Sequence, residues 1–457
     1  MFQSRLQRQV LACCLAVGAL AGVSRGVDDN DPQDQWSIIH CGMLLAVPGK
    51  APHSNVSIIV KNGRIVEVRS GFIGADALTE AGEATVGTID LRDSFVMPGL
   101  IDCHTHITGE YTADIRLRRV QETDADSAIN GVVYARRTLE AGFTTIRNVG
   151  SSGDAAFALR DAIKAGMVVG PRILVAGESI SPTGGHSDST LGYRADLFDT
   201  PGPMQGIADG PAACRQAVRA QVKRGADVIK LTATGGVLSA TAAGTEQQFF
   251  DDELRAIIET AHLLGRKVAA HAHGTKGINA ALRAGVDSIE HGTFLDDESI
   301  SLFNDTGAFL VPTILAGKTV TEHAKEVGYY PAAVAEKAKA VGPMIQGAFA
   351  KAVRGGVRIA FGTDSGVSEH GRNAQEFALM VEAGMGEMQA IIAATINAAE
   401  LLGLSDEIGT IEPGKVADII AVGTNPLTDI KATRSPASLP DAVSFWANRR
   451  TISSSCS

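Results

Sequence analysis

The chain has 457 residues and a formal net charge of −10, and hydrophobic residues make up 45% of it. That hydrophobic fraction is typical of a globular protein, and the length predicts a large domain together with a smaller one. The acidic balance gives the protein no electrostatic attraction to nucleic acid or to an anionic membrane. We therefore expect neither of these as a partner.

The first residues predict an export signal. Two arginines precede an apolar run from Val10 to Leu20, and the small residues Ala19 and Ala21 fit a cleavage site after Ala21. The run is shorter than a helix that spans a bilayer. We expect a signal peptide over residues 1–21 and an exported mature protein, periplasmic or secreted, without stable membrane insertion.

Both ends of the mature chain carry short strand patterns. These patterns cover Ser37–Val47, Val56–Val68, Thr88–Leu91, Gly409–Val422 and Ser444–Ile452. An Asn62-Gly63 step inside the second pattern predicts a tight hairpin, and Pro413-Gly414 predicts a turn in the fourth. We predict one small β-sandwich domain built from residues 35–94 and 405–452.

The segment between them, residues 95–400, alternates short β runs with amphipathic helical patterns. The β runs are Phe95–Cys103, Thr144–Val149, Arg172–Ala176, Val228–Thr232, Lys267–His271, Ser288–His291, Phe309–Ile314 and Arg358–Gly362. Strands that alternate with helices predict a parallel sheet, and eight such units predict an α/β fold closed into a TIM-type (β/α)8 barrel. An open doubly wound sheet is the alternative, but no Gly-x-Gly-x-x-Gly motif follows an early strand. Residues 178–209 predict a long loop over the barrel mouth.

Side chains that can bind metal recur where the predicted barrel strands end. They occur in Asp102-Cys103-His104-Thr105-His106, at Lys230, in His271-Ala272-His273, in Glu290-His291-Gly292 and at Asp364. Each residue alone has an ordinary structural explanation, such as a core histidine or an aspartate that caps a helix. In a barrel, however, these strand ends converge on the face that carries active sites. Their joint occurrence predicts a metal site.

The spacing of the histidines suggests which of them would bind each of two metal ions. His104 and His106 stand two residues apart on a strand, so they point to the same side and can bind one ion. His271 and His291 come from neighbouring strands and can bind another. Imidazole nitrogens suit Zn²⁺ and related divalent ions. Asp364 can both bind metal and accept a proton from metal-bound water, which ionises near neutral pH.

Residues 96–106, Val-Met-Pro-Gly-Leu-Ile-Asp-Cys-His-Thr-His, resemble the PGxIDxHxH strand of the amidohydrolase superfamily. Ile411–Asp418 is similar to that family's return into the β-domain. The resemblance covers nearly the whole mature chain, and the spacing onward from the first strand is similar to the binuclear metal subtype. This resemblance implies a metal-dependent hydrolase that acts on amide bonds.

The resemblance also implies a role for each motif residue. His104 and His106 would bind one metal ion together with Asp364, and His271 and His291 would bind the second. Lys230 would be carboxylated and would bridge both ions, which are expected to be zinc. Asp364 would shuttle the proton during catalysis. The six implied metal ligands are His104, His106, Lys230, His271, His291 and Asp364.

Three further motifs narrow the resemblance to Xaa-Pro and related dipeptidases and to ochratoxin-degrading amidohydrolases. They are Thr183–His186, Lys230–Gly236 and His271–Gly274. This implies a small-molecule substrate, a dipeptide or N-acyl amino acid, whose amide lies next to a free C-terminal carboxylate. Candidates for binding the carboxylate or the carbonyl oxygen are His186, Tyr193, Arg194 and His273, and His273 is also the candidate catalytic group for the oxyanion. The resemblance further implies a homo-oligomer such as an octamer.

Two alternatives stay open at this stage. The same metal ions can act on cyclic amides or phosphotriesters, because one fold supports many chemistries. A carboxylate anchor in the loop over residues 178–209 favours dipeptides, and its absence favours lactams or esters. The chain could also be an inactive barrel that serves as a binding protein, although its filled ligand positions favour an enzyme.

Overall fold

A computed structural model of the chain describes residues 34–82, 84–239, 241, 244–434 and 436. The residues from Gln35 onward belong to one compact unit. None of the helices described there is both long and apolar enough to cross a membrane. The predicted signal peptide over residues 1–21 and the predicted strand Ser444–Ile452 lie outside the described residues.

Strands and helices alternate along the described chain. The strands are β1 (Trp36–Leu44), β2 (His53–Lys61), β3 (Arg64–Ser70), β4 (Val86–Pro98), β5 (Leu100–Thr105), β6 (Phe143–Asn148), β7 (Arg172–Val175), β8 (Val228–Thr232), β9 (Lys267–Ala272), β10 (Ser288–His291), β11 (Phe309–Val311), β12 (Arg358–Ile359) and β13 (Ile419–Val422). The α-helices are α1 (Ile115–Gln121), α2 (Asp124–Glu140), α3 (Ala155–Lys164), α4 (Gly210–Arg224), α5 (Asp251–Leu263), α6 (Thr275–Arg283), α7 (Asp297–Thr306), α8 (Ile314–His323), α9 (Ala332–Val341), α10 (Met344–Arg354), α11 (Gln375–Glu382), α12 (Glu387–Ala393) and α13 (Ile396–Leu402).

The two ends of the described chain share one five-stranded sheet, with the order β13-β4-β1-β2-β3. The predicted hairpin is confirmed, because β2 and β3 pair antiparallel and both Asn62 and Gly63 have positive φ angles of 49° and 75°. The strand predicted before Pro413 is wrong. Residues 409–418 contain no strand, and their contacts with the sheet are an isolated bridge from Arg64 to Val416 and single hydrogen bonds such as Ile411 N to Ala46 O, 2.8 Å long.

Eight parallel strands follow the predicted runs and form two sheets, β5-β6-β7 and β8-β9-β10-β11-β12. The first predicted strand, Phe95–Cys103, is divided at Gly99. Its first part belongs to β4 and pairs with β13, whereas its second part is β5. A Cβ atom at Gly99 would lie 2.2 Å from Thr144 Oγ1, so the close approach of the chain to β6 requires glycine where one sheet gives way to the other.

Isolated contacts link the two parallel sheets on both sides. Thr105 bridges to Ser365 just beyond β12, and Ile180 bridges to Leu231 of β8. Cys103 N also donates to Phe361 O at 2.8 Å. The eight strands β5 to β12 therefore form two parallel sheets joined at their edges, and the carboxyl ends of these strands face the same side.

Two segments that follow the carboxyl ends of parallel strands depart from the simple alternation of strand and helix. Residues 178–209 form the predicted long loop, in which the regular structure is a single short 3-10 turn at Pro203–Gln205 and isolated bridges. After β11, helices α8, α9 and α10 follow in succession. The buried carboxyl group of Glu376 accepts hydrogen bonds from Ile314 N at 2.8 Å and Leu315 N at 2.6 Å, which holds the start of α8 in place.

Candidate active site

The polar strand ends meet in one cavity of about 130 Å³. The apolar body of each strand packs into the core, and the polar residues that follow it emerge at the shared carboxyl edge. All six residues predicted as metal ligands line this cavity, namely His104, His106, Lys230, His271, His291 and Asp364. The structure therefore brings the whole predicted set together.

Most of the imidazole rings in this cavity are held through Nδ1. The Nδ1 atom of His104 is 2.6 Å from Glu290 Oε2, and the Nδ1 atom of His106 is 2.8 Å from Gly150 O. These oxygens accept a hydrogen bond from Nδ1–H, so the proton stays on Nδ1 and each ring keeps its Nε2 lone pair free. Both Nε2 atoms point toward Asp364, whose Oδ1 lies 3.4 Å and 3.3 Å away respectively.

Two threonines hold the next two rings in the same way. His291 Nδ1 lies 2.7 Å from Thr313 Oγ1, and His273 Nδ1 lies 2.7 Å from Thr293 Oγ1. His271 is reversed, because its Nε2 is 3.3 Å from Gly235 O and its Nδ1 is the nitrogen without such a partner. Each of these rings therefore has one nitrogen bound to the protein and one available to a ligand.

His186 reaches the same cavity from the long loop. Its ring stacks on that of His271 with centroids 4.2 Å apart, and its Nδ1 is 2.7 Å from Ser239 Oγ. A Cβ atom at Gly236 would lie 2.1 Å from the His186 ring, so glycine is needed for this contact. The predicted substrate-binding residues His186 and His273 both line the cavity.

The other two predicted substrate-binding residues do not line the cavity. Tyr193 donates from its hydroxyl to Arg116 O at 3.1 Å, and its ring lies under the Arg116 guanidinium. The Arg194 side chain is 73% exposed and pairs with Asp196. The structure places both residues in the outer part of the loop rather than beside the histidines. Ser179 and Ser187 are the loop hydroxyls that do line the cavity.

Backbone strain is concentrated in this site. Five non-glycine residues of the described chain have positive φ angles, and three of them are His291 at 70°, Thr313 at 51° and Asp364 at 58°; the others are Asn55 and Asn62. Asparagine tolerates this conformation, whereas a β-branched threonine does so only at a free-energy cost. Strain of this kind persists where the surrounding fold imposes it, often at functional sites. Here the strained residues are two predicted ligands, His291 and Asp364, and Thr313, which contacts His291.

Asp364 is held ionised without a hydrogen bond to Oδ1. This buried oxygen has no hydrogen-bond partner among the described residues, although the two imidazole nitrogens lie near it. Burial alone would raise the pKa of Asp364, but His104 and His106 outweigh burial and hold that pKa well below its usual range. The site therefore presents an anionic oxygen with an open coordination position.

Lys230 is buried in the same cavity, with its side chain directed away from bulk water. Its ammonium makes neither a hydrogen bond nor an ion pair with the described part of the chain. Burial lowers the pKa of Lys230 to about 8. The carboxylates of Glu290 and Asp364 act in the opposite direction but do not outweigh burial, so this position suits a neutral or chemically modified amine.

Part of the cavity lining is apolar. It is formed by Val237, Leu238, Val320, Ile345 and Val367, and several of these side chains belong to a buried cluster under α8 and α9. Among the described residues that line the cavity, Lys230 is the one basic side chain other than histidine. The cavity thus has one face suited to metal ions and one suited to an apolar side chain.

Sequence reasoning missed the residues that hold the imidazoles. Glu290 was part of a recognised motif but received no role, and Arg147, which pairs with it, was not singled out. Both side chains lie within buried strands, with Arg147 1% exposed and Glu290 0% exposed. The available signal was a charged residue inside a short apolar strand, as in Ile289-Glu290-His291, because such a charge has to find a partner in the interior.

A larger cavity of about 680 Å³ lies near the first residues of the parallel strands, among them Arg172, Val228 and Lys267. Its lining contains none of the histidines discussed above. This cavity is therefore at the end of the strands away from the predicted chemistry, and its size alone gives it no role.

Comparison with known proteins identifies the family. Residues 95–452 match the Amidohydrolase family. The chain belongs to the amidohydrolase family. It is a hydrolase that acts on amide bonds, which confirms the resemblance seen in the first parallel strand.

Three individual proteins are similar to this chain over most of its length. The ochratoxinase of Aspergillus niger is 33% identical over 427 residues, which cover 88% of this chain and 84% of the relative. A crystal structure of a Xaa-Pro dipeptidase with bound methionine in the active site is 44% identical, has a TM-score of 0.82 and covers 88% of this chain and 97% of its own. A prolidase complexed with N-methylphosphonate-L-proline is 30% identical, has a TM-score of 0.79 and covers 88% and 95% of the two chains.

Amidohydrolases typically bind metal ions, and the donor set of this chain fits them. Within the described part of the chain, ligand atoms lie close enough to hold an ion in two groups, His104 with His291 and Asp364, and His271 with His273 and His291. His106 belongs to neither group, although its Nε2 approaches Asp364. The orphaned Asp364 Oδ1 and the imidazole nitrogens left free are what a divalent ion requires.

Proposed function

We propose that this amidohydrolase cleaves the amide bond of dipeptides or N-acyl amino acids that carry a free C-terminal carboxylate. It would use two divalent metal ions at the carboxyl end of a closed (β/α)8 barrel. The observation that carries the proposal is the cavity that unites all six predicted ligands. The relatives named Xaa-Pro dipeptidase, prolidase and ochratoxinase support the substrate class.

The chain offers two neighbouring metal positions. His104, His106 and Asp364 would form the first position, and His271 and His291 would form the second. Bound zinc ions would polarise the substrate carbonyl and lower the pKa of a water molecule. These two sets of residues are the first and second metal positions.

Lys230 would connect the two positions as N6-carboxylysine. Its neutral amine would form a C–N bond with CO2 and release one proton, which replaces an unpaired buried ammonium with an anionic carbamate. An anionic oxygen ligand between two cations is electrostatically favourable, whereas an ammonium there would repel both of them. The burial of this lysine among the other predicted ligands supports the assignment.

Two side chains would act on the substrate. Asp364, which is ionised and has one unpartnered oxygen, would accept the proton of the attacking water and pass it to the leaving amine. His273 would donate from Nε2–H to the substrate carbonyl oxygen, in the tautomer in which the Thr293 hydroxyl donates to its Nδ1. Ser179, Ser187 and His186 are the cavity groups available to the substrate carboxylate.

The size and polarity of the cavity favour small apolar substrates. One water needs roughly 10–15 Å³ of this kind of volume, so the cavity of about 130 Å³ suits a compact dipeptide. The apolar wall suits a substrate with an aliphatic or aromatic side chain. Ochratoxin A is larger than a dipeptide and would require the surrounding loop to open further.

A panel of substrates tests this proposal. The purified protein is assayed with Xaa-Pro and other dipeptides, N-acyl amino acids, ochratoxin A, a lactam and a phosphotriester, each with and without a chelator. We expect chelator-sensitive cleavage of the substrates with a free carboxylate, and much slower cleavage of the matched dipeptide amides. Activity confined to lactams or phosphotriesters would contradict the proposed substrate class.

Export and assembly belong to the same proposal. We propose an exported homo-oligomer, which a mass measurement of the mature secreted protein in solution tests. Light scattering reports the number of subunits, and N-terminal sequencing reports whether cleavage follows Ala21. A monomer that retains its first 21 residues would contradict both statements.

A further inference from the structure

We propose that Arg147 and Glu290 form a buried positioning pair that sets the orientation and donor strength of His104 for the first metal position. The proposal rests on the metal site proposed above. Neither residue contacts the cavity nitrogen that would bind metal, so both act through His104.

The pair is tied to β5 by several hydrogen bonds. Arg147 Nη2 donates to Glu290 Oε1 at 2.9 Å, and Arg147 Nε donates to Cys103 O at 2.6 Å. The second carboxylate oxygen of Glu290 lies 2.6 Å from His104 Nδ1. Ser288 adds a hydrogen bond from its hydroxyl to Glu290 Oε1 at 2.6 Å and accepts one from Arg147 Nη1 at 3.1 Å.

Stability alone is a weak reason for such a pair. Removing two opposite charges from water is expensive, and apolar residues of similar volume often support a fold equally well. Arg147 and Glu290 are nonetheless almost completely buried, and their contacts end on two successive residues, Cys103 and His104. This placement points to the ring of His104 as the purpose of the pair.

His104 differs from the other imidazoles of the cavity in the charge of its partner. The rings of His106, His273 and His291 are held by a carbonyl or a threonine hydroxyl, whereas His104 is held by a carboxylate. A carboxylate keeps the proton on Nδ1 and raises the electron density of the ring, which strengthens Nε2 as a metal ligand. Arg147 in turn pairs with the other carboxylate oxygen of Glu290 at 2.9 Å, so its positive charge compensates the buried negative charge beside His104.

The variant Glu290→Gln tests the proposal. It keeps the shape of the side chain but removes the anionic acceptor, so we expect the affinity of one of the two metal ions to fall by about 10- to 100-fold. Affinity is measured by titrating the metal-free protein with Zn²⁺ in competition with a chromophoric chelator. The absorption spectrum of the Co²⁺-loaded protein provides a second readout that does not depend on activity.

Two further variants separate positioning from stability. The double variant Arg147→Met/Glu290→Gln also removes the unpaired guanidinium, so its unfolding midpoint should recover toward that of the wild type while metal affinity stays low. Glu253→Gln is the matched control, because Glu253 is a buried glutamate that accepts from backbone amides far from the histidines. We expect it to bind both ions as the wild type does.

The outcomes are distinct. Wild-type affinity for both ions in Glu290→Gln, or affinity that recovers with stability in the double variant, would overturn the positioning role and leave the proposed function intact. A wild-type protein that binds no divalent ion would overturn the metal site and this inference with it. Selective weakening of one ion in both the single and the double variant is the result that supports it.

Discussion

Removing the hydroxyl of Thr313 is a sharp test of how the second metal position is built. Thr313 is 0% exposed, has a φ angle of 51° and places Oγ1 2.7 Å from His291 Nδ1. Thr313→Val keeps the β-branched shape, so the backbone strain stays similar while the acceptor is lost. The change therefore acts mainly on the His291 ring.

The expected magnitude follows from hydrogen-bond energetics. Without metal, the neutral ring can move its proton to Nε2, so the metal-free protein avoids most of the loss. Metal binding requires the Nε2 lone pair and leaves the buried Nδ1–H without an acceptor, which costs about 1–3 kcal/mol. Because about 1.4 kcal/mol equals a factor of ten, the affinity of the second position should fall roughly 5- to 150-fold.

The assay is a competitive Zn²⁺ titration of Thr313→Val beside Thr313→Ser, which retains the hydroxyl. We expect the serine variant to bind both ions nearly as the wild type does and the valine variant to lose affinity for one. Equal affinities in the two variants would refute the argument that this hydroxyl selects the tautomer of His291.

Three further predictions concern other buried groups. Asp364→Asn should retain bound metal but lower kcat by about 10²- to 10⁴-fold, because the proton acceptor is lost; metal analysis and steady-state rates check this. In native mass spectrometry we expect the wild type to carry the mass increment of one CO2 and Lys230→Met to lack it, together with a lower metal content. Burial raises the pKa of Glu376 to about 8. The protonated side chain therefore contributes its full stabilisation below the ordinary carboxyl pKa, and this contribution is lost as the pH rises toward about 8. Glu376→Gln should flatten the dependence of the free energy of unfolding on pH over that interval, measured on the metal-free protein.

The strands and the metal-binding set were predictable because both follow local rules. β8 and β10 have the bounds expected from their apolar runs, Val228–Thr232 and Ser288–His291. Parallel strands bring their carboxyl ends to one edge, so histidines at those ends had to become neighbours. The hairpin at Asn62-Gly63 was equally local, since the turn conformation depends on those two residues.

The remaining features depend on contacts between distant parts of the chain. Arg147 meets Glu290 across 143 residues, and no local pattern states which strand will supply the partner of a buried charge. The strand expected before Pro413 failed because residues 409–418 make an isolated bridge to β3 and scattered hydrogen bonds, one of them to Ala46 after β1, instead of a ladder. Arg194 was expected near the substrate but finds an acidic partner two residues away, Asp196.

Metal-dependent hydrolysis of one dipeptide tests the central claim most directly. The purified protein is stripped of metal, assayed with a dipeptide that has an apolar side chain and a free carboxylate, and then assayed again after addition of measured equivalents of Zn²⁺. We predict that activity is lost on stripping and returns in full as two ions per chain are bound. Unchanged hydrolysis by the metal-free protein, or no hydrolysis after two ions have bound, would contradict the account.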